Sequence, residues 1–159
     1  MMKLLLVSDT HGKDERLIEA LKIEKPDFLC HMGDLEGSED DIRGIAKCPL
    51  AMVAGNNDYW SDLNPEVAFE LEGFKIFMTH GHYYYAHAGN EQLKSAGRRV
   101  GADIVLFGHT HRPTLEFDED IVVANPGSLT FPRQEKRRPS YMVLYLEKGK
   151  KPIFETKYL

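Results

Sequence analysis

The sequence predicts an α/β fold with a parallel core sheet and additional strand pairs. Three observations carry this prediction. Short apolar runs alternate with amphipathic helical segments in the first half of the chain, as they do in βαβ units. Turn signals between apolar runs indicate hairpins in the second half. Polar clusters beside glycines follow the ends of predicted strands, which is the edge where open α/β sheets bind ligands.

The first half is expected to contain strands and helices in alternation. Lys3 to Val7 is a strand and not a signal peptide, because its apolar run is short and meets Ser8 at once. A helix is expected from Asp14 to Glu24, since Leu17 and Leu21 fall on one face and Pro26 lies just beyond its end. The remaining elements are the strand Asp27 to His31, the helix Ser38 to Lys47 with Ser38 as N-cap, and the strand Leu50 to Ala54.

The second half is expected to contain mainly strands. Val67 to Leu71 and Phe74 to Thr79 flank Glu72-Gly73, a good signal for a two-residue hairpin turn. No repeat or linker interrupts the chain, so a single domain spanning residues 1–159 is expected. The other predicted elements are the helix Asn90 to Val100 and the strands Asp103 to Phe107, Leu115 to Phe117, Ile121 to Ala124, Tyr141 to Leu146 and Ile153 to Tyr158.

Composition excludes several classes of protein. The net charge of -5 argues against stable binding of duplex nucleic acid, which requires a broad basic face. No apolar run is long enough to span a bilayer. The two cysteines, Cys30 and Cys48, lie in apolar surroundings and are expected to be buried core thiols in a reducing compartment. A cytoplasmic location is therefore the default expectation.

Strong metal ligands fall in the loops that follow five predicted strands. Aspartate, asparagine and histidine are the ligand types, and each cluster contains a glycine that lets the backbone turn sharply. An isolated histidine at a strand end is usually structural, and His31 and His87 are interpreted in that way. The clusters are Asp9-Thr10-His11-Gly12, Gly33-Asp34, Gly55-Asn56-Asn57-Asp58, His80-Gly81-His82 and Gly108-His109-Thr110-His111.

The mixture of ligands indicates a site for two metal ions. Imidazole suits zinc, iron or nickel, whereas carboxylate and amide oxygens suit magnesium or manganese. The seven residues exceed what one tetrahedral ion requires, so we expect a dinuclear site with one bridging carboxylate. If the Asp-x-His and His-x-His segments are extended, alternate side chains point to the same side and converge. The predicted ligands are Asp9, His11, Asp34, Asn56, His80, His109 and His111.

With these motifs in this order, the chain closely resembles the calcineurin-like metallophosphoesterase superfamily. It is most similar to the YfcE-like branch of small phosphodiesterases, and Asn125-Pro126-Gly127-Ser128 also resembles a segment typical of that branch. The resemblance runs from about Lys3 to Ser128. It implies a four-layer α-β-β-α sandwich with a dinuclear metal site at the carboxyl ends of the strands.

The resemblance also implies how the ligands divide between the metals. One metal would be held by Asp9, His11 and His111, and Asp34 would bridge to the other. Asn56, His80 and His109 would complete the second site. A hydroxide between the metals would attack the phosphate, and manganese is the first expectation, with nickel, iron, zinc or magnesium as alternatives.

One position departs from many superfamily members. Asn57 stands where they have a histidine that acts as general acid or phosphate contact, although the YfcE-like branch often lacks this histidine too. An amide cannot donate a proton as an acid, so His82 joins Asp34 and Asn56 among the candidate catalytic residues. Asp58 is expected to orient a ligand or the loop, and Arg112 to lie near the substrate.

The predicted function is hydrolysis of a small phosphodiester such as a cyclic nucleotide. A phosphomonoesterase or nuclease of the same fold is an alternative, but a monoester dianion usually requires an arginine clamp, and only Arg112 adjoins a ligand motif. Another alternative is a protein-interaction scaffold, as in a eukaryotic retromer subunit of this fold. Tyr83-Tyr84-Tyr85 is either a pocket wall or an aromatic loop. The basic patch formed by Arg133 and Lys136-Arg137-Arg138 is either solvated or a contact for the substrate anion or a homodimer.

Overall fold

A computed structural model describes residues 1–159 and contains two five-stranded mixed sheets. The first sheet has the strand order β10-β9-β1-β2-β3, in which β1, β2 and β3 are parallel. The helices α1 and α2 follow β1 and β2 along the chain, as the alternating pattern predicts. The bounds are β1 Met2–Val7, α1 Glu15–Glu24, β2 Phe28–His31, α2 Glu39–Ala46, β3 Leu50–Met52, β9 Ser140–Leu146 and β10 Ile153–Tyr158.

The second sheet has the strand order β4-β5-β6-β8-β7. Strands β5, β6 and β8 are parallel, and β4 and β7 pair antiparallel at the two edges. The predicted hairpin at Glu72-Gly73 is confirmed, with both residues at positive φ (52° and 79°), as a type I′ turn requires. The bounds are β4 Glu66–Leu71, β5 Phe74–Thr79, α3 Glu91–Arg99, β6 Ile104–Leu106, β7 Pro113–Phe117 and β8 Val122–Pro126.

Three apolar clusters lie between four successive layers and confirm the α-β-β-α sandwich. The central cluster joins the two sheets, for example through Leu6 and Met78. A second cluster packs α1 and α2 against the first sheet, and a third packs α3 against the second sheet. Because both outer faces are covered by helices, the strand ends at one edge of the sandwich remain available for a site. No helix has the length and apolar character required to cross a membrane.

Some local predictions differ from the structure. Ser38 occupies the N-cap position of α2 but does not cap it, because its hydroxyl donates to the carbonyl of Leu35 at 3.0 Å. The third strand ends at Met52, two residues before Ala54, because the chain turns there towards the site. Of the two cysteines, Cys30 is buried as predicted, whereas Cys48 is only half-buried.

Candidate metal centre

The predicted ligands follow β1, β2 and β3 of the first sheet and β5 and β6 of the second. Because the two sheets face each other, the carboxyl ends of these strands meet at one edge of the sandwich. Five of the seven predicted ligands form two groups in which the donor atoms lie within 4.8 Å of one another. The two groups overlap and are Asp9 with His11 and His111, and Asp9 with Asp34 and His80.

The backbone of the ligand loops is left-handed and not extended. Asp9 and His11 have φ values of 54° and 49°, and His109 and His111 have values of 71° and 59°. The expectation that extended segments make these side chains converge is therefore wrong. The strands end before the ligands, and the chain turns sharply through a conformation that is uncommon for residues other than glycine. Such strain is typical of functional sites that the surrounding structure holds in place.

The first group matches one predicted metal set. The Nε2 atoms of His11 and His111 are 3.2 Å apart. Oδ1 of Asp9 lies 3.3 Å from Nε2 of His111 and 3.9 Å from Nε2 of His11. The three donor atoms are therefore close enough to one another to contact a single cation.

Asp34 lies between this group and the second one. Its Oδ2 atom is 3.8 Å from Nε2 of His11 and 3.5 Å from Nε2 of His80. These two histidines belong to different predicted metal sets, so the carboxylate is placed where a bridging ligand would be. Asp9 also adjoins both groups, because its Oδ1 atom is 3.7 Å from Nε2 of His80. The sequence did not indicate this second role for Asp9.

The two remaining predicted ligands lie beside the groups. The ring of His109 packs edge-on against the ring of His80, with their centroids 5.1 Å apart. Asn56 is exposed on the wall of a neighbouring cavity, and no hydrogen bond joins its amide to the other predicted ligands. His87, which was interpreted as structural, packs against His109 at 4.6 Å between centroids.

Three of the histidines are oriented by hydrogen bonds on the side away from the centre. Nδ1 of His80 donates to the carbonyl of Met32 at 2.7 Å, and Nδ1 of His111 donates to the carbonyl of Phe131 at 2.6 Å. Nδ1 of His11 lies 3.3 Å from the carboxylate of Glu36. These contacts direct each Nε2 atom inwards, as is usual for histidines that bind metals. Sequence reasoning missed Glu36, which belongs to none of the quoted motifs.

Unsatisfied buried atoms indicate that a cation fits the centre. Oδ1 of Asp9 and Nε2 of His80 are buried and have no hydrogen-bond partner, although the other oxygen of Asp9 accepts from Ser8 and from the backbone of His109. Burying a polar atom without a partner costs about 1–3 kcal/mol. The lone pairs that converge here are nitrogen and carboxylate oxygen, which are ligands for divalent transition metals. The residues present therefore fit such an ion.

When no cation is bound, the electrostatics of the centre favour a protonated His80. Burial disfavours its charged form, but the carboxylates of Asp9 and Asp34 outweigh burial and raise its pKa to about 9. Burial likewise favours the neutral acid of Asp34, but His80 and hydrogen bonds from Asn57 hold the pKa of Asp34 well below its usual range. For His109, burial and the neighbouring charge of His80 lower the pKa to about 4.

Asp58 organises the loop that carries Asn56. Its carboxylate accepts hydrogen bonds from the backbone N–H groups of Asp34 (2.8 Å), Gly55 (2.7 Å) and Glu36 (2.7 Å). The loops after β2 and β3 are thereby joined. The backbone of Gly33 lies close to the ring of His80, because a Cβ atom at Gly33 would be 2.7 Å from Nδ1 of His80. The expected orienting role of Asp58 agrees with these contacts.

The remaining candidate residues differ in how close they lie to the centre. His82 lines the cavity beside Asn56, and its buried Nδ1 atom has no partner. The side chain of Arg112 is exposed and makes no hydrogen bond or ion pair, so the structure does not direct it at the centre. Two residues of the Asn125 segment support the site from behind, because Asn125 donates to the carbonyl of Gly108 and Ser128 donates to that of Asp9.

Comparison with known families identifies a match over almost the whole chain. The family model described as the calcineurin-like phosphoesterase superfamily domain matches residues 2–149. A probable metallophosphoesterase of Mycoplasma pneumoniae is 33% identical over 154 residues, which cover 94% of this chain and 93% of that protein. The phosphodiesterase YfcE of Escherichia coli K12 is 30% identical over 158 residues and covers 84% of this chain and 82% of its own.

Solved structures share the fold as well. Vps29 of Entamoeba histolytica, in a crystal structure of the wild-type protein complexed with zinc, superposes with a TM-score of 0.79. The two proteins are 23% identical, and the superposition covers 99% of each chain. At this identity the similarity establishes the fold alone.

Proposed function

The chain belongs to the calcineurin-like phosphoesterase superfamily, and we propose from this that it is a metal-dependent phosphodiesterase that hydrolyses small phosphodiesters. The observation that carries the proposal is the position of Asp34, whose Oδ2 atom lies between Nε2 of His11 and Nε2 of His80. A carboxylate between two groups of inward-directed imidazoles suits a pair of cations. When bound, divalent cations supply Lewis acidity that activates water at neutral pH and neutralises phosphate charge.

We assign metal-binding, positioning and substrate-facing roles to individual residues. Asp9, His11 and His111 would hold one ion, and Asn56, His80 and His109 would hold the other, with Asp34 between them. Asp58 and Asn57 position the bridging carboxylate. His82 is proposed as the group nearest the substrate, because it lines the cavity beside Asn56.

The donor set supports a transition metal over calcium or magnesium, since four of the seven ligands are imidazoles. We propose manganese first, with nickel, iron, zinc and magnesium as alternatives that reconstitution distinguishes. We further propose that residues 1–159 act as one domain in the cytoplasm, where the two free cysteines would stay reduced.

A diester substrate is favoured over a monoester by the position of Arg112. A monoester dianion is usually held by a bidentate arginine, and the exposed Arg112 makes no contact with the centre. The second candidate is a protein-interaction scaffold of the same fold.

One experiment tests these alternatives together. The protein is stripped with a chelator, reconstituted with manganese, nickel, zinc or magnesium, and assayed on a monoester and a diester of the same aryl alcohol. Metal-dependent hydrolysis of the diester with little hydrolysis of the monoester is expected. A preference for the monoester would overturn the diester assignment. Absence of hydrolysis with every metal, in protein that binds the metals, would favour the scaffold.

A further inference from the structure

An aromatic-lined cavity opens directly beside the candidate metal centre. It has a volume of about 450 Å³ and shares two walls, Asn56 and His82, with the proposed site. That volume falls within the roughly 300–1,000 Å³ that is usual for small-molecule pockets. Tyr59 and Tyr83 line it from two different loops, and Pro65 adds an apolar surface.

The aromatic side chains of these loops are unusually exposed. Tyr59 and Tyr83 are 79% and 66% exposed, and Trp60, next to Tyr59, is 98% exposed. Large aromatic residues contribute most to the stability of a fold when they are buried. A group of exposed aromatic residues beside a reactive centre therefore indicates a binding surface.

Both loops are anchored, so the backbone that carries the two tyrosines is positioned before any ligand binds. The Tyr59 loop is closed by hydrogen bonds from Ala54 N–H to the Asn64 carbonyl at 3.0 Å and from Ser61 N–H to the Asp58 carbonyl at 3.3 Å. Next to Tyr83, the hydroxyl of Tyr84 donates to Glu66 at 2.6 Å. Preorganisation of this kind reduces the entropy that binding would otherwise cost.

The lining of the cavity favours an uncharged occupant over the phosphate itself. No lysine or arginine lines it, and its one carboxylate, on Asp58, is occupied by three backbone N–H groups. A neutral planar group suits such a wall, because tyrosine rings stack on flat π-systems. Because Asn56 and His82 line this cavity and belong to the proposed site, a group bound here would adjoin a phosphate held at that site.

We propose that this cavity is a subsite for a planar heterocyclic or aryl group attached to the phosphate, with Tyr59 and Tyr83 as its specificity-determining residues. The inference rests on the proposed function, since it names the substrate class of the same centre. It corrects the broader expectation for Tyr83-Tyr84-Tyr85, because Tyr84 is tied to Glu66 and Tyr85 does not line the cavity.

The test measures binding, so it does not depend on turnover. Uridine 5′-phosphate and ribose 5-phosphate are monoesters of the kind that diester hydrolysis releases, and the first has the planar base on C1′ where the second has a hydroxyl. Their affinities for the manganese-reconstituted full chain are measured by calorimetry. Fluorescence of Trp60, the one tryptophan, gives a second readout. We expect the base to increase affinity about tenfold, which is within the range for stacking of one base on an aromatic side chain.

The variants are Tyr59→Ala and Tyr83→Ala, with Tyr85→Ala as matched control. Tyr85 is 67% exposed, against 66% for Tyr83, and lies outside the cavity. The first two variants should remove most of the tenfold preference and leave the affinity for ribose 5-phosphate unchanged, whereas Tyr85→Ala should keep the preference.

Three results would overturn the subsite. The first is equal or unmeasurable binding of the two phosphates by the native protein. The second is an equal loss of preference in Tyr85→Ala. The third is sedimentation showing that Tyr59→Ala and Tyr83→Ala dissociate a dimer, which would make this surface an interface between copies. If the native protein showed the tyrosine-dependent preference for uridine 5′-phosphate but did not hydrolyse diesters, that result would contradict the proposed function alone.

Discussion

Asn57 holds both oxygens of Asp34, because its backbone N–H donates to Oδ1 and its side-chain amide donates to Oδ2, each at 2.9 Å. The amide that replaces the histidine of many relatives is therefore an orienting group for the proposed bridging carboxylate. Its two hydrogen bonds also help to keep the pKa of Asp34 low. Asp34 is thus ionised and fixed in direction before a cation arrives.

The position of Asp34 predicts that the chain binds two ions and that both depend on this residue. Asp34→Asn removes the negative charge shared by the two groups, so we expect both ions to bind more weakly and activity to fall by at least the roughly 10–100-fold that loss of an outer-shell partner typically costs. Metal content is measured by mass spectrometry after reconstitution, and the exposed Asp62→Asn is the control. One ion or none in the fully reconstituted native protein would contradict the dinuclear site.

The raised pKa of His80 predicts that metal binding releases a proton. With a pKa of about 9, His80 is protonated in the metal-free protein at pH 7, but it must be neutral to act as a ligand. His109, whose pKa is lowered to about 4, is already neutral and releases none. Metal affinity should therefore fall as pH decreases below about 9, and release of about one proton from His80 is expected at pH 7.

Calorimetry in buffers of different ionisation enthalpy measures this proton release. The contribution of His80 should be about one proton at pH 7 and should decline towards zero as pH rises through 9. His80→Gln should lack this contribution while the protein stays folded. A release that is the same at pH 7 and pH 10 would show that His80 is not the group that titrates.

The sequence predicts the fold and the ligand loops because both depend on local pattern. The alternation of β1, α1, β2, α2 and β3 is visible in the sequence as a change in the spacing of apolar residues. The hairpin turn is visible from its residue types, Glu72-Gly73. Each ligand cluster follows its strand, so the meeting of the clusters at one edge follows from the topology.

Other features depend on contacts between distant residues and could not be predicted. The orientation of His11 by Glu36 spans 25 positions and involves no motif. The left-handed residues Asp9 and His109 are joined by a contact between loops far apart in the sequence, the hydrogen bond from His109 N–H to the Asp9 carboxylate. The exposure of Arg112 likewise depends on the path of the chain after His111.

A buried carboxylate far from the site predicts how stability depends on acid. Glu24 accepts hydrogen bonds from Lys3 (2.7 Å), Lys157 (2.9 Å) and Tyr141 (2.7 Å). Burial alone would raise its pKa, but these partners lower it from 4.5 to about 2. Because the folded-state value is depressed, the stabilisation is present above pH 4.5 and is lost as pH falls to about 2.

Glu24→Gln tests this relationship. The free energy of unfolding, measured with urea, should fall by about 2 kcal/mol at pH 7, the typical contribution of hydrogen bonds to a charged group. The difference from the native protein should become small near pH 2. Glu19→Gln, on the exposed face of the same helix, is the control and should have little effect at either pH. An equal loss at both pH values would assign the effect of Glu24 to packing and not to its charge.

The double hydrogen bond between Asn57 and Asp34 leads to a final prediction about the leaving group. A histidine acting as general acid typically contributes about 10²–10⁴-fold to the rate, and Asn57 cannot supply that proton. The departing oxygen must then tolerate negative charge, unless His82 protonates it from the adjoining cavity wall. We expect the rate to depend steeply on the pKa of the leaving group, with aryl diesters cleaved far faster than alkyl diesters.

Asn57→His should flatten that dependence when the imidazole reaches the leaving oxygen. The substitution also removes the amide contact with Asp34, so metal content is measured alongside. The measurement is a series of substituted aryl and alkyl diesters on both proteins, compared as slopes so that a uniform loss of activity does not affect the result. A shallow slope in the native protein would show that an acid is already present, and a steeper slope in His82→Ala would then identify it as His82.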